Sequence, residues 1–85
     1  MANNRQEHVH LYRCLGEVIA LRRRRLGLSQ EKLAEQSGVD RSFLSSVEQG
    51  KRNPSFGTVA SIAGGLRMRY ARLVENCEQC ASRAG

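Results

Sequence analysis

Tryptophan is absent from this chain, proline occurs once, and the aromatic complement is two phenylalanines and two tyrosines in 85 residues. No long alternating run of β-branched residues appears either, so the signature of a sandwich or barrel is missing and an all-α fold is expected. No window approaches the roughly 18 apolar residues of a membrane span, and MANNRQEHVH at the start lacks the apolar stretch of a secretory signal. A cytoplasmic location and no membrane partner are the expectation. Catalytic equipment is scarce as well. Paired carboxylates, a nucleophile with its base, a phosphate-cradling glycine loop and a complete metal set are all missing, which argues against an enzyme, a cofactor or a metal.

Cysteine is limited to Cys14, Cys77 and Cys80. An odd count without a secretion signal predicts reduced thiols rather than a disulfide framework. Cys77 and Cys80 form a lone C-x-x-C, whereas a structural zinc site wants four ligands, and His8 and His10 lie far away in sequence. At helical spacing the two thiols read as small apolar side chains on one face. Acidic residues are outnumbered, eight against fourteen Lys or Arg, leaving a formal charge of +6. A polyanion is the natural partner, although charge by itself does not separate DNA from RNA or an anionic membrane.

What is present is helical periodicity with punctuation. The length suits one domain near the lower limit for folding without a staple, placed at residues 9–80 between polar tails at 1–8 and 81–85 that are expected to fray. A compact bundle of about five helices follows from the pattern. The first covers residues 10–26, with Leu11, Leu15, Val18, Ile19 and Leu26 inward and Gly27 as its stop. Its last turn carries Arg22, Arg23, Arg24 and Arg25, cations that the helix dipole favours there. The stretch LSQEKLAEQSGVDRSFLSSVEQGKRNPS, residues 28–55, reads as two short helices joined by a tight turn, a device that lays a helix in a DNA groove. Ser29 caps a helix over 30–37, Gly38 supplies the left-handed turn, and Asp40 caps a helix over 41–49. Ala34 is small where the two helices cross, and Val39, Leu44 and Val47 plug the joint.

Ser55 caps a fourth helix with Phe56, Val59, Ile62, Ala63 and Leu66 inward. Gly64 and Gly65 then mark either a break or an unusually close approach to a neighbour. The fifth helix, over 69–82, puts Tyr70, Leu73, Val74 and Cys77 on one stripe. A small domain has limited inner surface to cover that stripe, so these four are candidates for a dimer contact.

With those residues in place, the region over about 16–74 resembles the Cro and phage-repressor class of XRE-type helix-turn-helix regulators. The pieces that carry the resemblance are GLSQEKLA at 27–34, SGVDRSFLSSVEQGKRNPS at 37–55 and SIAGGL at 61–66. VDRSFLSSVEQGKRNPS is also similar to controller proteins of restriction-modification systems, small homodimers that regulate their own operon. After Leu66 the chain departs from the pattern: a helix-ending Gly and an N-cap Ser are usual, but Arg67 and Arg69 stand here.

The resemblance implies a sequence-specific regulator of double-stranded DNA, nucleoid-associated when bound, with the third helix in the major groove. Gln30 matches a phosphate-contacting position at the start of the second helix. Because Leu44 and Val47 must face the core, Arg41, Ser42, Ser45 and Ser46 turn outward as base readers, Arg41 foremost through two hydrogen bonds to a guanine. Phe43 stands where the family often carries an aromatic; pressing on a DNA sugar or a thymine methyl and half-buried packing are the two readings of it, and Lys51, Arg52 and Asn53 follow in a loop suited to phosphates. Arg23 and Glu48 match a pair that joins the first and third helices in some phage repressors, implying a partly buried ion pair that orients the recognition helix. Two-fold docking implies a homodimer on an inverted repeat with half-sites about 34 Å apart. The alternative is an antitoxin-type DNA-binding protein that also holds a toxin; RNA polymerase is a further partner that the resemblance leaves open.

Overall fold

A computed structural model describes residues 5–84 of the chain, with side chains over 8–83. Five helices follow in order: α1 (Arg5–Arg25), α2 (Gln30–Ser37), α3 (Arg41–Glu48), α4 (Phe56–Gly65) and α5 (Tyr70–Ala84). Two of the end segments read as tails are therefore partly helical, because nothing between Arg5 and Arg25 or between Tyr70 and Ala84 breaks helix propagation except the tolerated Gly16. Residues 1–4 of the first tail, and Gly85 of the second, lie outside the described residues.

Local punctuation works as the sequence indicates. The Ser29 hydroxyl accepts from the Lys32 amide and Ser55 accepts from the Thr58 amide, each satisfying a first-turn donor that the helix itself cannot. Gly38 takes φ 69°, and the backbone turn it makes lets the Val39 amide donate to the Ala34 carbonyl at 3.0 Å. Asp40 differs. Its backbone is extended as a cap requires, but its carboxylate makes no capping bond to an amide and is engaged by the Ser42 hydroxyl. That donation holds the Asp40 carboxyl below the usual carboxylate range.

Leu15, Ile19, Leu33, Ala34, Leu44, Val47, Ile62, Ala63, Leu66, Leu73 and Cys77 close into one core. Two residues read as inward are not. Leu11 is 37% exposed, lying a turn before Leu15, where the core begins, and Phe56 is 74% exposed in the opening turn of α4. Leu73 and Cys77 reverse the other way. They are buried within the monomer, since α5 lies along α1 and drives that edge of its stripe inward, and they are not available to a dimer contact. Of the four candidates only Tyr70 and Val74 remain partly exposed, and the Tyr70 ring meets Phe56 edge-on with centroids 4.6 Å apart.

The cysteines also require a correction. Cys14 on α1 and Cys80 on α5 form a disulfide across 66 residues of sequence, with Cα atoms 5.8 Å apart, so only Cys77 is a free thiol. Composition could count the thiols but not show that two packed helices bring these two together. Burial pushes the Cys77 thiol up to about 11, which leaves it protonated and inert.

Glycine marks two close crossings. A Cβ on Gly65 would run into the Ser37 hydroxyl and the Leu33 side chain, so α4 approaches α2 only because that position is bare. Gly64, next to it, faces open space. Of the two outcomes left open for this pair, close approach holds at Gly65, and α4 ends directly after it.

Where α4 gives way to α5, the departure from the family pattern becomes physical. Arg67 has φ 58°, the left-handed conformation that glycine adopts without penalty. The turn is otherwise well made, with the Met68 amide donating to the Ala63 carbonyl at 2.9 Å and the Arg67 amide to the Gly64 carbonyl at 3.0 Å. Arg67→Gly is expected to raise stability by about 1 kcal/mol by relieving the clash of Cβ with its own backbone. The check is a higher urea midpoint at unchanged m-value.

Candidate nucleic-acid interface

The segment between the end of α1 and the end of α3 is held by one polar cluster. Arg23 donates from Nε to Glu48 Oε2 at 2.7 Å and from Nη2 to Oε1 at 3.0 Å, a two-pronged pair whose side chains are 11% and 5% exposed. The remaining prong, Nη1, donates to the Leu28 carbonyl at 2.9 Å. Gln30 Nε2 adds a bond to Glu48 Oε1 at 2.9 Å. Burial acts to lower the Arg23 pKa, but the bond to Glu48 outweighs it and raises the pKa, so the guanidinium stays charged. Every acceptor of Glu48 thus has a donor, and three separate pieces of chain, the last turn of α1, the start of α2 and the end of α3, are tied to one carboxylate.

A second device fixes α3 at short range. Gly16 on α1 is buried, and a Cβ there would occupy the space of the Val47 and Glu48 carbonyls. The backbones of α1 and α3 therefore touch at the very residue that receives Arg23. Leu44 and Val47, both fully buried, anchor the same helix from its inner face.

With that face committed, the outer side of α3 is set. Arg41 and Ser42 are exposed, while Ser45 and Ser46 are half-buried. The Ser42 hydroxyl is turned to Asp40 and the Ser45 hydroxyl accepts from Gln49 Nε2 at 3.3 Å. Gln49, which sequence reasoning treated only as a helix end, is exposed and places a side-chain amide on this surface; its signal was its spacing four residues beyond Ser45. Phe43 is half-buried against the core, with the Arg52 guanidinium 5.4 Å above its ring. The ring serves as a platform for that cation. Lys51, Arg52 and Asn53 are all exposed in the loop that leaves α3. Gln30 is half-buried and its amide nitrogen is spent on Glu48, which leaves the carbonyl side of that group and the Gln30 and Glu31 amides of α2 for anything outside.

Among the described residues no group of His, Cys, Asp or Glu is arranged to hold a metal ion, and no helix is long and apolar enough to cross a membrane.

Residues 19–73, which contain all of this arrangement except Gly16, match the model of the helix-turn-helix family. The chain belongs to that family, in its XRE-type branch. It is a DNA-binding transcriptional regulator of this kind. It is similar to the control protein C.MunI of a Mycoplasma species, 39% identical over 59 residues that make up 69% of this chain and 80% of that protein. An uncharacterized regulator of Sinorhizobium fredii, y4dJ, is 38% identical over 60 residues, 71% of this chain and 78% of its own. Among solved structures, the restriction-modification controller protein C.AhdI of Aeromonas hydrophila superposes with a TM-score of 0.71 at 37% identity, covering 73% of this chain and 94% of that one. The controller C.Esp1396I, solved as a tetramer with its natural 35 base-pair operator, gives a TM-score of 0.77 at 28% identity over 84% of this chain and 93% of its own.

Proposed function

We propose that this protein is a homodimeric controller that binds an inverted-repeat operator in the cytoplasm and regulates the restriction-modification operon in which it is encoded. The observation that carries the reading is the fixed presentation of α3. A hydrogen-bonded Arg23–Glu48–Gln30 cluster and a backbone contact at Gly16 hold the helix, so the exposed Arg41 side chain projects from a rigid support. Rigid support matters because discrimination by a two-pronged hydrogen bond depends on angle as well as distance. Similarity to C.MunI and to C.AhdI supports the controller assignment, and the assembly of C.Esp1396I on its operator supports oligomeric binding.

In this reading Arg41 reads a guanine. Ser42, Ser45 and Ser46 allow close approach of α3 to the groove floor, and Gln49 adds an amide of the type that pairs with adenine. Gln30 with the α2 amides, and Lys51, Arg52 and Asn53 beyond α3, hold phosphates; Phe43 keeps Arg52 aimed. The partly exposed Phe56, Tyr70 and Val74 form the surface on which the second copy sits.

Arg41→Ala is expected to cost about 1 to 3 kcal/mol of operator affinity, and to relax preference at one base pair of each half-site, while leaving thermal stability unchanged. Gel-shift titration against an operator series checks it. Equal affinity and selectivity in the variant would remove Arg41 from base reading. For about six neutralised phosphates, log affinity should fall with log salt at a slope of roughly −5, and a flat response would contradict duplex binding altogether.

A further inference from the structure

Six arginines border a groove of about 540 Å³ that the DNA-reading helices do not line. It lies between the C-terminal half of α1, the turn after α4 and the outer face of α5. Arg69, Arg72 and Arg83 rise from the α5 side, Arg25 from α1, and Arg67 from the turn. The sixth, Arg22, is already occupied, donating from Nε to the Leu66 carbonyl at 3.0 Å and from Nη2 to the Arg67 carbonyl at 3.3 Å, and so it shapes one wall. Among the described residues no carboxylate pairs with the other five, and no acidic side chain lines the groove.

Two further features single out this cluster. Like charges gathered without counterions repel, and although water screens these exposed side chains, an anionic ligand would remove the repulsion and gain contacts. Arg67 adds a separate backbone cost. It occupies a left-handed position that glycine fills without strain, and its side chain lines this groove. The strain therefore falls on a residue whose side chain lines the groove.

The floor of the groove specifies the class of ligand. Val18, Leu21 and Met68 are its apolar lining beside the arginines, and Leu21 is 51% exposed, an aliphatic side chain open to water. A phosphodiester strand would satisfy the arginines but leave this apolar floor uncovered. A second copy of the chain would set arginine against arginine. A segment that carries both carboxylates and aliphatic side chains satisfies both parts, because each arginine can take a carboxylate through two hydrogen bonds while apolar groups cover Leu21 and Met68.

We propose that the arginine-bordered groove between α1 and α5 docks an acidic peptide segment of a protein partner, one that interleaves carboxylate and aliphatic side chains. Through it the DNA-bound regulator recruits another protein without using its DNA-reading surface. The groove shares no residue with α2 or α3, so peptide binding is tested apart from DNA binding, while recruitment to DNA rests on the operator reading above.

The test uses the full chain and a short fluorescein-labelled peptide alternating glutamate and leucine, followed by fluorescence anisotropy. Saturable binding at one peptide per protomer is expected. The double variant Arg69→Ala, Arg72→Ala should bind it about tenfold more weakly, the loss of two charge-assisted contacts, and Arg41→Ala should bind it as the parent does. Arg67→Gly separates binding from folding: peptide affinity should fall about threefold even though the fold becomes more stable, whereas a purely structural role would leave peptide affinity unchanged or raised. The proposal is overturned if a glutamine and leucine peptide binds equally well, or if Arg41→Ala abolishes peptide binding. It is also overturned if the double variant loses affinity for non-operator duplex by the same factor as for the peptide, which would make the groove a phosphate-binding surface.

Discussion

Glu48→Ala is expected to lower stability by about 3 kcal/mol and to weaken operator binding at the same time. The carboxylate accepts both prongs of Arg23 and the amide of Gln30 in a site where Arg23 is itself only 11% exposed. Removing one member of such a pair leaves the other as a charge with little water around it, and that uncompensated charge, more than the lost attraction, sets the cost. The remaining exposure of Arg23 places the effect near the lower end of the 3 to 5 kcal/mol typical of buried pairs. Arg23→Ala should cost nearly as much, and the double variant distinctly less than the sum, because both single changes break the same bonds. Urea unfolding of the three variants measures the coupling. The loss of DNA affinity would arise without any base contact by Glu48, through a recognition helix whose end is no longer tied to α1 and α2. Additive stabilities, or operator affinity preserved after correction for the unfolded fraction, would contradict this assignment.

Gly16→Ala should be as damaging, at about 3 kcal/mol, the upper part of the range for overpacking. The added methyl group meets the Val47 and Glu48 carbonyls, which are backbone and have no rotamer by which to withdraw. Accommodating it requires α1 and α3 to separate, and that movement stretches the Arg23–Glu48 bonds just described. Gly64→Ala is the internal control. That glycine faces open space within α4, so the same chemical change should stabilise by about 1 kcal/mol through helix propensity alone. Thermal unfolding of both variants should move in opposite directions; a tolerated alanine at Gly16 would mean that the two helices do not touch there.

The recognition segment was legible from the chain because its determinants act over three to five residues. Ser29 reaches the amide of Lys32, Gly38 turns the backbone beneath Val39, and Leu44 and Val47 fall on one side of a helix by its own period, which leaves Arg41 outside without reference to any other part of the molecule. The Arg23–Glu48 pair spans 25 residues and was reached only through resemblance to repressors that share it.

Periodicity and caps by themselves therefore determined five helices, their order and the outward face of the third. Tertiary structure alone decided the bridge between Cys14 and Cys80, the inward turn of Leu73 and Cys77, the exposure of Phe56, the bare crossings at Gly16 and Gly65, and the cationic groove beside α5. A helix repeats its own geometry every 3.6 residues, so its local chemistry is readable along the chain. Where two helices cross, and which side chains then meet, depends on how ridges and grooves from distant segments interlock, and that information exists only once the core has closed.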